Sequence, residues 1–177
     1  ISDLHLTWEK PEITRKFIHF LENHDQSRIA ELVKAPLVVA NLTAWSFFMP
    51  GMGFIYAGQE RYDDHKPDLF EKDVIKQTVI DKDFYAFIKQ LITLKKRKVF
   101  KEKTRFDILD TDVNDLIIAT HESVDETLMG IFNLVSHIRR VKVPLEDGAY
   151  LNLIDGKLKR VYQGYLTVDN PLYLKIK

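Results

Sequence analysis

The chain has 177 residues, 45% of them hydrophobic, and balances 26 Lys and Arg against 26 Asp and Glu. That is enough apolar material for one large or two small cores, and a net charge of zero supplies no global field to draw nucleic acid or an anionic membrane. The absence of cysteine excludes disulfides, thiol nucleophiles and cysteine-ligated metals, and no apolar run approaches the roughly 20 residues that cross a bilayer.

In chain order, residues 17–22 (FIHFLE) read as a short buried strand. It runs into Asn23-His24-Asp25, an amide, an imidazole and a carboxylate that a buried strand would not choose. Ser27 is a candidate N-cap for a short helical turn through Val33. Pro36 opens a strongly apolar helix (PLVVANLTAWSFFM), standing in the first turn where its missing N–H costs least. Met49-Pro50-Gly51 stops that helix. Residues 54–57 (FIYA) follow as a second buried strand, ended by Gly58-Gln59-Glu60. Strand, helix and strand within about 35 residues is the pattern of a right-handed βαβ unit with parallel strands. Parallel neighbours end at the same edge of their sheet. Asn23-His24-Asp25 and Gly58-Gln59-Glu60 are therefore expected side by side on the carboxyl rim, where α/β folds build their sites.

Residues 61–73 form a polar loop without periodicity. Asp81 or Asp83 then caps a helix whose stripe is Phe84, Phe87, Ile88, Leu91, Ile92 and Leu94. Its basic end, Lys95-Lys96-Arg97-Lys98, complements the helix dipole and is read that way rather than as a nucleic-acid patch. From about Arg105 the period changes. Short apolar or alternating runs at 116–119, 127–134, 141–143, 150–154 and 172–176, with Asp155-Gly156 as a hairpin signal, predict an antiparallel β-sandwich. The helix at 84–98 is expected to join it to the first zone. Two parallel strands with two or three helices cannot enclose a core, so the first zone is expected to be the tail of a larger α/β domain.

The residues at this point resemble a family. Residues 20–25 (FLENHD) are similar to the fourth signature region of α-amylase family glycoside hydrolases, and residues 50–60 (PGMGFIYAGQE) to the last barrel-strand signature of that family. Gly53 stands where proline is common and Ala57 where a second tyrosine is common. The resemblance implies that residues 1–103 are the C-terminal portion of a (β/α)8 TIM barrel, strands 7 and 8 with their helices, and that 104–177 are a C-terminal antiparallel β-sandwich domain. It covers the last third or so of a complete enzyme.

The chemistry so implied is retaining cleavage or transfer of α-glucosidic bonds in starch, glycogen or maltooligosaccharides. That chemistry uses a carboxylate nucleophile and a carboxylic acid, with an oxocarbenium-like transition state. In the family both stand on strands earlier than any present here, so the chain alone is expected to be inactive. Asp25 matches the third carboxylate, which holds sugar hydroxyls and stabilises the transition state. His24 matches the histidine that donates to the same sugar. Asn23, Arg28 and Glu60 complete the expected substrate-binding set. The partners implied are an α-glucan or oligosaccharide and the missing N-terminal part of the barrel. No cofactor is evident, and calcium stays open for the full-length enzyme.

The residues allow other readings. Asp25 caps the following helical turn as readily as it holds a sugar, and His24 is then a satisfied rim histidine. Glu60 either orients rim loops or touches substrate, and Arg28 either pairs with a rim carboxylate or faces water. Tyr62, Asp63, Asp64 and His65 form a sugar subsite, a calcium site or an ordinary solvated loop. Trp8 is a candidate for stacking on a sugar and Trp45 for the core. Tyr150, Tyr162, Tyr165 and Tyr173 form either a stacking platform or part of the sandwich packing. A catalytically inactive relative that works as a binding or assembly subunit is the alternative function. Retention of both His24 and Asp25 argues against it.

Overall fold

A computed structural model describes residues 11–75, 81–101 and 104–177. Trp8 lies outside them.

Near the start, α1 (Pro11–Thr14) precedes β1 (Ile18–His19). After a loop come α2 (Ile29–Leu32), α3 (Pro36–Phe48) and β2 (Met52–Gly53). β1 and β2 pair in parallel, Ile18 opposite Met52 and His19 opposite Gly53. The parallel strand–helix–strand unit is thus present, with its register two residues before the expected FIYA run. The last ladder bond is Phe54 N–H to His19 C=O, and residues 55–57 continue beyond it.

α3 is apolar on nearly every side, the pattern of a helix with no solvent face. Its first half packs Val39 with Ile29, Phe84 and Ile88. Its second half packs Ala44, Phe47 and Phe48 against the β domain. The polar residues within it are satisfied locally or across the interface. Thr43 donates to Val39 C=O, while Asn41 donates to Leu37 C=O and accepts the Asn133 N–H. Met49-Pro50-Gly51 ends the helix as expected, and Gly51 is required there. At φ +106° a Cβ would lie 2.4 Å from Phe17 O.

α4 (Lys82–Lys95) is capped by Asp81, whose carboxylate accepts the Asp83 and Phe84 amides. The basic run straddles the break between α4 and α5 (Lys98–Lys101). Arg97 there pairs with Glu126, and Lys95 donates to Met49 C=O over the Phe100 ring.

The rest of the chain is mostly β-sheet. Six strands, β3 (Arg105–Leu109), β4 (Leu116–Glu122), β5 (Thr127–Asn133), β7 (Gly148–Asn152), β8 (Leu158–Val161) and β10 (Leu172–Lys175), form an antiparallel sheet in the order β3-β4-β5-β10-β7-β8. A second, two-stranded sheet pairs β6 (Arg139–Lys142) with β9 (Tyr165–Val168). The central strands of the large sheet, β4, β5 and β10, are buried on both faces. Alternate residues Ala119, Leu128, Phe132 and Tyr173 meet α3, α4 and α5. Ile118, Met129, Ile131, Leu172 and Leu174 meet Val141, Leu166 and Val168 of the small sheet. This double burial explains the nearly continuous apolar run in β5. Helix α3 carries more of the junction than the helix at 84–98 alone, because Phe48 inserts among Phe100, His121, Phe132 and Tyr173.

Candidate functional site

Asn23, His24 and Asp25 lie on the loop between β1 and α2, just past the strand end. The half-buried Asn23 makes the turn itself, its Oδ1 accepting the Asp25 amide at 2.9 Å and the Gln26 amide at 3.0 Å. That bond frees the two following side chains from shaping the loop. His24 and Asp25 are each 65% exposed in their side chains, with His24 Nε2 3.4 Å from Asp25 Oδ2.

The capping reading of Asp25 does not hold. The N-cap position of α2 is Arg28, which makes no side-chain cap, and Ser27 does not cap the helix either. The first amide of α2, that of Ile29, donates instead to Glu22 Oε2 at 2.7 Å. Glu22 supplies what an N-cap would, from the strand end rather than from the turn.

Arg28 is corrected in position. Expected among substrate-binding residues, it is fully buried and unable to reach a surface ligand. Nη1 bonds Glu22 Oε1 at 2.7 Å, Nε bonds His65 C=O at 2.9 Å, and the guanidinium carbon lies 4.6 Å from the Tyr56 ring centroid. Burial pushes the Glu22 carboxyl up, opposed by the Ile29 amide and the Arg28 charge. Sequence reasoning missed Glu22. The available signal was a glutamate at the end of an apolar run, six residues before an arginine.

Glu60 is likewise turned onto its own loop. Its Oε2 accepts the Gly58 amide at 2.9 Å and its Oε1 the Arg61 Nε at 3.2 Å. This matches the loop-orienting reading rather than the substrate-binding one. The two rim loops do meet, as expected from the parallel strands. Besides Arg28 to His65, Lys66 Nζ donates to the Asp25 carbonyl at 2.7 Å.

In the 62–65 cluster, Tyr62 packs edge-on against Phe84 and Asp63 Oδ1 accepts the His65 amide. His65 Nε2 meets Asp73 Oδ2 at 2.7 Å, which holds the Asp73 carboxyl below its usual range. Among the described residues no group of three His, Asp or Glu side chains converges as a metal site. Trp45 packs with Phe106 and Phe132. Of the tyrosines, Tyr173 is buried and Tyr150 half-buried, while Tyr162 and Tyr165 are exposed.

Residues 107–172 match the family described as Bacterial Alpha amylase C-terminal domain. No curated protein matches the chain. Among solved structures, an α-amylase from Lactobacillus plantarum is similar over 99% of this chain and 42% of its own, at 27% identity and a TM-score of 0.84. A noncanonic maltogenic α-amylase from Thermotoga neapolitana is similar over 98% of this chain and 44% of its own, at 17% identity and a TM-score of 0.79. The α-amylase of Geobacillus thermoleovorans, solved with acarbose, shares 18% identity at a TM-score of 0.75, over 99% of this chain and 43% of its own. The chain thus spans less than half the length of the solved proteins that it matches.

Proposed function

We propose that the chain is a C-terminal part of an α-amylase family protein, and that it serves a retaining glycoside hydrolase or transglycosylase acting on α-glucosidic bonds of starch, glycogen or maltooligosaccharides. The match of residues 107–172 and the likeness to solved α-amylases support this. Residues 1–103 are the end of its catalytic barrel, strands 7 and 8 with their helices, and 104–177 its C-terminal β domain. The nucleophile and the acid/base belong to the earlier part of that barrel. Asp25 holds hydroxyls of the sugar at the scissile bond, with His24 donating to the same ring. Such bonds strengthen as positive charge develops and lower the barrier without tightening ground-state binding. A carboxylate favours that charge more than a neutral acceptor does.

One observation carries this reading. On a rim loop whose turn is made by Asn23 and whose helix is started by Glu22, the side chains of His24 and Asp25 stand exposed and together. Structure-building falls to their neighbours. Asn23 contributes by shaping the loop rather than by touching sugar.

The test is Asp25→Asn in the full-length enzyme. Loss of an interaction made mainly in the transition state lowers kcat by about two to four orders of magnitude, with substrate binding changed far less and the melting temperature unchanged. A wild-type rate in this variant rejects the proposal.

A further inference from the structure

Glu22, immediately before Asn23, and Arg28, three residues after Asp25, are both 0% exposed. We propose that this pair positions Asp25, closing the 22–28 loop on itself and fixing it to the neighbouring rim loop so that the exposed carboxylate keeps one place. The proposal rests on the sugar-binding reading of Asp25.

Arg28 joins three elements through one planar group. Its Nη1 bonds Glu22 at the end of the first strand segment, its Nε bonds the His65 carbonyl on the second rim loop, and its face covers Tyr56 beyond β2. Glu22 completes the closure through the Ile29 amide at the start of α2. The Asp25 carbonyl is then tied to the second loop by Lys66. A short loop that would otherwise rely on the Asn23 turn is held at both ends.

A buried ion pair is a weak source of stability, because desolvation opposes the Coulomb attraction. What it supplies is a defined geometry. Arg28 Nη2 and Asp63 Oδ2 are both buried without a hydrogen-bond partner. Gly58 borders both, since a Cβ there would stand 3.0 Å from Nη2 and 3.3 Å from Oδ2. The absence of a side chain at residue 58 lets the guanidinium lie flat between the two loops.

The experiment uses the full-length enzyme with maltooligosaccharide substrate, and Asp25→Asn as the control. Arg28→Lys keeps the charge opposite Glu22 but not the planar fork. Glu22→Gln keeps the shape and an acceptor for Ile29 but not the charge. Both are measured well below their melting temperatures, as kcat per folded molecule, KM, and hydrogen exchange of the Asp25 and Gln26 amides. We expect kcat to fall about 10- to 100-fold with KM nearly constant, as for a small misplacement of a reacting group, and amide exchange in the loop to accelerate. Unchanged kcat and exchange in either folded variant overturn the positioning role, and so does failure of both to fold, since the pair is then purely structural. If Asp25→Asn is as fast as wild type, the sugar-binding reading falls and this proposal with it. If Asp25→Asn is slow while the two variants are fast, only the positioning role falls.

Discussion

His121 Nε2 donates to the carbonyl oxygen of Phe48 at 2.7 Å, tying the large sheet to the last turn of α3 across 73 positions of sequence. The imidazole is buried among the rings of Phe48, Phe100 and Phe106, and its other nitrogen has no partner. Its pKa is pushed down to about 3, chiefly by desolvation, with the Phe48 carbonyl opposing and the Lys95 and Arg15 charges adding to the fall. In the unfolded chain the ring titrates at its ordinary 6.5. Between those values the unfolded state binds the extra proton, so this contribution to stability is complete above pH 6.5 and is lost as pH falls toward 3. The slope approaches about 1.4 kcal/mol per pH unit within that window. Urea denaturation at pH 7 and pH 5 should therefore show a larger acid loss for wild type than for His121→Gln. Parallel losses would show that the histidine is not the group responsible.

Phe48 is fully buried and its ring meets Phe100, His121, Phe132 and Tyr173 at centroid distances of 5.6, 5.0, 5.5 and 4.9 Å. Phe48→Ala should cost about 3–5 kcal/mol, the range for deleting a buried aromatic ring from a packed core. The loss falls at the seam between the helices and the β domain. Denaturant midpoints give the cost, and a value under about 1 kcal/mol would mean that the seam closes around the gap.

Two glycines in the left-handed region separate strain from collision. Gly51 has φ +106°, and a Cβ there would come within 2.9 Å of the backbone oxygens of Phe17 and Thr14, whereas Gly156 has φ +70° and open space. Gly156→Ala should cost about 1–2 kcal/mol from backbone conformation alone. Gly51→Ala adds a clash with the backbone that cannot be relieved by turning a side chain, so it should cost distinctly more. Equal melting shifts for the two variants would contradict this.

The purified 177-residue chain should turn over no starch or maltooligosaccharide, because on our reading the nucleophile and the acid/base lie in the earlier part of the barrel. Sustained product release by this chain alone would show that the roles are assigned wrongly.

Local chemistry made much of this molecule legible. Pro36 and Met49-Pro50-Gly51 bound a helix because each acts on its own backbone, and Asp81 caps α4 through amides two and three residues away. Most of the sandwich strands were readable from their apolar runs, and Gly156 makes the expected turn at φ +70°. β8 and β9 were harder to read because exposed positions in and between them carry Leu158, Tyr162 and Tyr165, which blur the alternation. The candidate rim was legible as a motif, Asn23-His24-Asp25, but the division of labour within it was not.

The sequence by itself determined where α3 starts and stops and where α4 starts, that the C-terminal part is antiparallel β-structure, and which polar residues end the first strand segment. These follow from interactions between residues a few positions apart. Only the tertiary structure decided that Glu22 rather than Asp25 or Ser27 starts α2, that Arg28 is enclosed, and that Glu60 turns back on its own loop. It also decided that α3 carries the junction with the β domain through Asn41, Phe48 and the hydroxyl of Tyr173. Apart from Glu60, whose partners stand one and two positions away, those outcomes depend on partners 6 to 129 positions apart or on competition among several polar groups for one amide. Spacing along a chain cannot rank such competitors, because burial sets the penalty for leaving any of them unpaired.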